Sequence, residues 1–176
     1  MLRSKLIATV VATGVVGFSG TYACADEFFA RLIGVNENPS ILSDGSGTFK
    51  LNLDRKAGTA TYELTFSGLS TPATQGHIHF AKTRVNGGII VWLCQSATNP
   101  SPVPNTPTCP PGGGTVTGTI TAGTVVAVDA QLVAAGDFDA LTDALDSNSA
   151  YSNVHSTAAP GGEIRGQIRQ RDKDEE

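Results

Sequence analysis

Between residues 28 and 170 the chain runs in short stretches where apolar and polar residues alternate, each closed by Gly, Pro, Asn or Asp. Alternation with period two puts one set of side chains on each face of an extended strand, and a helix cannot gather such a set into one buried stripe. The spacing predicts strands over 28–35, 47–53, 60–67, 76–82, 89–94, 116–120, 150–156 and 163–170. Leu53-Asp54-Arg55-Lys56-Ala57-Gly58 supplies the turn of a hairpin between the second and third. One stretch breaks the rule. Over 137–146, Phe138, Leu141, Ala144 and Leu145 recur at helical spacing, with Asp137 or Asp139 placed to cap the first turn. The expected fold is all-β, an antiparallel β-sandwich or barrel of about eight strands with one short helix. Twenty glycines and nine prolines suit the many turns this needs.

The ends of the chain belong to other business. Residues 1–25 carry Arg3 and Lys5, then an uncharged, mostly apolar run, then Ala23-Cys24-Ala25, the small-x-small pattern of a signal-peptidase site. The run is broken by Gly14, Gly17 and Ser19 and falls short of the roughly 20 apolar residues of a membrane span. It reads as a cleaved signal peptide, leaving no stable membrane insertion. Residues 26–170 form the domain, secreted or periplasmic, and 171–176 a charged, solvated tail. In an oxidising compartment Cys94 and Cys109 are expected to pair, since no CxxC spacing suggests a thiolate metal site. Trp92, two residues before Cys94, is expected to pack on that disulfide. With 12 basic and 16 acidic residues and no basic cluster, the chain lacks the surface that a nucleic-acid binder needs.

Three histidines occur in the whole chain: His77 and His79 in Gly-His-Ile-His-Phe, and His155 in Tyr-Ser-Asn-Val-His-Ser. In a strand, His77 and His79 point to one face while Ile78 and Phe80 point to the other. The same parity separates Tyr151, Asn153 and His155 from Val154, and Glu163, Arg165 and Gln167 from Ile164 and Ile168. If the apolar sets share one core, the three histidines and Glu163 share the opposite face. Two imidazoles at i and i+2 with a third from a neighbouring strand make the nitrogen set common in copper and zinc sites. Copper(II) or zinc fits better than copper(I), because the domain offers no methionine and its cysteines are expected to be oxidised. The contrasting possibility is that each histidine bonds a loop or lies on a solvated sheet face. Glu163 is a candidate ligand or general base beside a metal-bound water, and more readily an ion pair with Arg165 or a brace to the adjacent hairpin. No acyl-transfer motif surrounds Ser152 or Ser156, and no catalytic residue is assigned.

Gly76-His77-Ile78-His79, Asn86-Gly87-Gly88, the helical stretch over 137–146, Tyr151-Ser-Asn-Val-His155 and Pro160-Gly-Gly-Glu-Ile-Arg-Gly-Gln-Ile168 together resemble the CHRD domain, the family named after chordin. The resemblance spans nearly all of 28–170 and implies an antiparallel β fold outside the cytoplasm. In chordin such domains belong to a protein that sequesters secreted growth factors. A metal-free extracellular module for protein binding or adhesion is therefore the competing expectation for function. The His-x-His pair is also similar to the copper-binding strand of copper/zinc superoxide dismutases. Only His77 and His79 match, so dismutase activity is not expected.

Overall fold

The computed structural model describes residues 25–171. The signal segment through Cys24 and the tail beyond Arg171 lie outside the described residues. Among those described there are nine strands and one α-helix: β1 (Asp26–Ile33), β2 (Ser46–Asp54), β3 (Thr59–Ser67), β4 (Ala73–Phe80), β5 (Gly88–Cys94), β6 (Gly114–Ile120), α1 (Phe138–Asp146), β7 (Ala150–Ser156), β8 (Ile164–Gln167) and β9 (Arg169–Gln170). All strands pair antiparallel in one sheet of order β5-β4-β7-β8-β1-β2-β3-β6, with β9 on β1. The segment after β6 returns to β5, where Val126 N–H donates to the Ile90 carbonyl at 3.0 Å and Val91 bridges Val125. The sheet thus rolls into a nearly closed barrel, and most of its edges are covered.

The alternating residues do what their period requires. Phe28, Leu32, Phe49, Leu51, Leu64 and Phe66 point inward and are essentially fully buried. Removing each such side chain from water contributes on the order of 2 kcal/mol. β5 fits four residues into this interior, Ile90, Val91, Leu93 and Cys94, because its register against β4 slips twice. Such slips leave an extra residue on one strand and turn it. Helix α1 adds Leu141, Ala144 and Leu145 to the same core, and Asp137 caps it by accepting from Ala140 N–H at 2.9 Å.

Several strand boundaries differ from the sequence reading: the expected 76–82 strand runs Ala73–Phe80 and the expected 116–120 strand begins at Gly114. The first strand ends at Ile33, because Gly34–Asn36 form a 3-10 turn whose Gly34 carbonyl accepts from both Glu37 and Ile41. The last divides at Ile168, whose N–H still donates to the Ala150 carbonyl at 2.9 Å in the register of β7, while Arg169–Gln170 pair with β1 alone.

Cys94 and Cys109 are bonded, with Cα atoms 5.0 Å apart, and both lie in the core. They close a loop whose ends are 15 residues apart, rich in Pro, Asn, Ser and Thr and poor in apolar anchors. Such a closure is worth about 3 kcal/mol through the unfolded chain. A Cys94→Ala/Cys109→Ala double variant is therefore expected to melt roughly 6 to 12 °C below the parent. A calorimetric shift below 2 °C would mean that the loop holds itself together.

Candidate metal centre

The register of four neighbouring strands assembles the site. His77 on β4 lies opposite Asn153 on β7, and Asn153 lies opposite Arg165 on β8. Trp92 on β5 is the partner of His77 on its other side. His79 faces Tyr151, and His155 falls one pleat along from Asn153, diagonal to His77. Ile78, Val154 and Ile164 belong to the core. The alternating set between them consequently stands on the outer face of the barrel, as the parity argument requires.

That outer face is not solvated. His77 is 0% exposed, His79 7% and His155 5%. Three loops close over them. The loop after β1 brings buried Glu37, the β4–β5 loop brings the Gly87 carbonyl, and the loop after β7 brings the Pro160 carbonyl. Gly87 has to be glycine, because a Cβ there would run into the Phe80 carbonyl oxygen.

The nitrogens converge. His79 Nδ1 is 2.9 Å from the Gly87 carbonyl and His155 Nδ1 is 2.9 Å from the Pro160 carbonyl. His79 Nε2 and His155 Nε2 both lie 3.1 Å from Asn153 Oδ1, and His155 Nε2 also lies 3.1 Å from His77 Nδ1. One ligand nitrogen from each of the three histidines can be chosen so that all lie within 4.8 Å of one another. Loss of water from the charged form, together with repulsion from the neighbouring imidazoles, lowers His77 to about 2. Burial likewise lowers His79 to about 4 and depresses His155. All three rings are neutral at pH 7 and carry one proton each.

Where those protons sit follows from the acceptors. A backbone carbonyl only accepts, so His79 and His155 carry their protons on Nδ1 and keep a bare lone pair on Nε2. Both lone pairs then face the oxygen of Asn153, which is itself an acceptor. His77 Nε2 is buried without any hydrogen-bond partner. Histidine donating one nitrogen to a carbonyl while the other is free is the arrangement that orients metal ligands.

Aromatic and charged groups pack around this cluster. Tyr151 stacks on His79 with centroids 4.6 Å apart and planes 1° from parallel, and the Arg165 guanidinium lies 3.4 Å over the Tyr151 ring. Trp92, expected on the disulfide, sets its ring against His77 at 4.3 Å, edge to face. Arg165 is 2% exposed and donates to Val85 O at 2.7 Å and Asn86 Oδ1 at 3.0 Å, so it fixes the loop that carries Gly87.

Glu163 is not brought to the histidines, nor to Arg165. Its Oε1 accepts from Ser43 Oγ at 2.6 Å and Ser70 N–H at 2.7 Å, and its Oε2 accepts from Ser70 Oγ at 3.0 Å. Burial alone would raise its pKa, but these hydrogen bonds and one from Ser156 outweigh that and hold it below the usual carboxylate range. It acts as a brace between loops, which the sequence offered as one of its roles. Glu37 was missed. Burial pushes its carboxyl up to about 7 despite the opposing pull of Arg165 and of the neighbouring Asn153 amide. Asn153 appeared in the parity set without a role. The Asn153-x-His155 spacing, which repeats the same-face logic of His77-x-His79, was the signal that could have found it.

The family model of the CHRD domain matches residues 28–168. No curated protein and no solved structure matches the chain.

Proposed function

The chain belongs to the CHRD domain family, and from that premise we propose that it is an exported protein that binds one transition metal ion, copper or zinc, through His77, His79 and His155. Export is supported by the amino-terminal segment of the sequence and by the buried Cys94–Cys109 pair, which suits an oxidising compartment. Among the described residues no helix is long and apolar enough to cross a membrane.

One observation carries the metal reading: two imidazoles with their Nδ1 protons committed to backbone carbonyls aim their Nε2 lone pairs at the same buried amide oxygen, and the one imidazole N–H beside them, His77 Nδ1–H, reaches only His155 Nε2 at 3.1 Å. Three acceptors facing each other are mutually repulsive, and a buried polar group without a partner costs about 1–3 kcal/mol. A cation at their common point removes that conflict. The donor set is nitrogen-rich and contains no thiolate, which suits copper(II) and zinc(II). Once bound, such an ion would supply a fixed positive charge that links β4 and β7 and would hold all three rings neutral.

Calorimetric titration tests this. Metal-stripped protein is expected to take up one zinc(II) or copper(II) per chain. His77→Ala, His79→Ala and His155→Ala should each weaken uptake at least a hundredfold, the upper end of the roughly 10–100-fold that loss of a supporting neighbour costs. Wild-type stoichiometry and affinity in all three variants would sink the proposal, provided circular dichroism shows them folded.

A further inference from the structure

We infer that Asn153 supplies a fourth ligand through its side-chain oxygen, and that the four donors close the coordination shell, so that the ion is held rather than exposed to a substrate. The inference rests on the metal-binding reading above and adds to it a ligand and a consequence.

The spacing of the donors is the first reason. A tetrahedral set with bonds of about 2.0–2.1 Å places its donors roughly 3.3 Å apart. Three such separations are already 3.1 Å: His77 Nδ1 to His155 Nε2, His155 Nε2 to Asn153 Oδ1, and Asn153 Oδ1 to His79 Nε2. The amide oxygen sits between two of the nitrogens as one of the set. The three imidazoles, already within 4.8 Å of one another, complete the set by closing on the ion.

The second reason is that the amide is aimed. Asn153 Nδ2 lies on the Glu37 side, both of them crowding the same point beside Gly162, and Asn153 Oδ1 lies on the side of the imidazoles. Gly162, at φ +124°, makes room for this pair, because a Cβ there would run into both Glu37 Oε1 and Asn153 Nδ2. Asn153 is 2% exposed. A buried amide with a carboxyl beside its nitrogen and its oxygen facing two lone pairs is oriented for a cation.

The third reason is that, among the described residues, the acidic candidate from the sequence and bulk water are both kept from the fourth position. Glu163 has both carboxylate oxygens engaged by Ser43 and Ser70. Water would have to pass Trp92, Tyr151 and three loops to reach rings that are at most 7% exposed. Catalytic zinc keeps an open position for water or substrate, and structural zinc does not. A closed site of three imidazoles and one amide therefore serves for holding an ion.

Cobalt(II), whose visible spectrum reports its coordination, and zinc(II) are the probes. The wild-type cobalt spectrum is expected to be indifferent to azide. Asn153→Ala should lower zinc affinity at least about tenfold and open a position, so that azide changes its cobalt spectrum. Asn153→Asp keeps an oxygen donor and should retain wild-type affinity or better. Asn153→Leu keeps the volume but not the oxygen and should reproduce the alanine loss, which preserves the comparison if the alanine cavity unfolds the domain. Azide binding to wild type, or zinc affinity unchanged in both Asn153→Ala and Asn153→Leu, overturns the fourth ligand and leaves the three-histidine site standing. Failure of wild type to take up either ion overturns both readings together.

Discussion

Stripped of metal, the protein is expected to lose roughly 4 to 7 kcal/mol of stability as the pH falls from 6.5 to 4. Unfolding frees the imidazoles to take up protons near their ordinary value of 6.5, whereas in the fold His79 takes none until about pH 4 and His77 none until about 2. Over that window the unfolded chain binds more protons, so stability declines with falling pH by about 1.4 kcal/mol per unit for each withheld proton. His155 and Glu163, both depressed in the fold, act in the same direction. Glu37 opposes them. Its raised value, about 7, means that its contribution is full below its ordinary 4.5 and is lost as pH rises through 7. One such carboxyl returns about 3 kcal/mol of what the histidines lose. Ordinary domains hold only about 5–15 kcal/mol, so the chelated protein is expected to approach unfolding near pH 4. Saturating zinc(II) binds only the folded state and should move that limit lower. Denaturation curves at a series of pH values in chelator check this; a flat or rising stability between pH 6.5 and 4 would show that the imidazoles are not held neutral by burial.

Replacing Arg165 by alanine should destabilise the domain by about 3–5 kcal/mol, the cost typical of removing one member of a buried charged network. The guanidinium lies over Tyr151, faces Glu37, and donates to Val85 O and Asn86 Oδ1. Its removal leaves those acceptors unpaired and the Glu37 carboxyl without its cation. The same loop presents the Gly87 carbonyl that sets the His79 tautomer, so metal affinity should decline along with stability. Urea denaturation with an unchanged slope is the measurement. A loss under 1 kcal/mol with undiminished zinc uptake would place Arg165 outside the network.

The barrel could be read from the sequence because its interior is written by local alternation. Phe49, Leu51 and Leu53 on β2, and Ala60, Tyr62, Leu64 and Phe66 on β3, declare their face without reference to any other part of the chain. The histidines were legible for the same reason, since parity fixes the side of the sheet on which His77, His79 and His155 stand. What covers that side was not legible. Glu37, Gly87 and Pro160 come from three separate loops, and only tertiary folding brings them over β4 and β7. Glu163 shows the limit of parity: it precedes β8, so its side chain follows the loop to Ser43 and Ser70 instead of the strand to the histidines. Trp92 was drawn to the wrong neighbour because nearness to Cys94 in sequence says less than the cross-strand register, which sets it beside His77.

The central claim is that one ion sits among His77, His79 and His155, and anomalous diffraction from crystals grown with zinc(II) or copper(II) tests it most directly. Data collected on both sides of the metal's absorption edge should show a single strong peak about 2.0–2.1 Å from His77 Nδ1, His79 Nε2 and His155 Nε2. A peak only at surface carboxylates, or none, would contradict it.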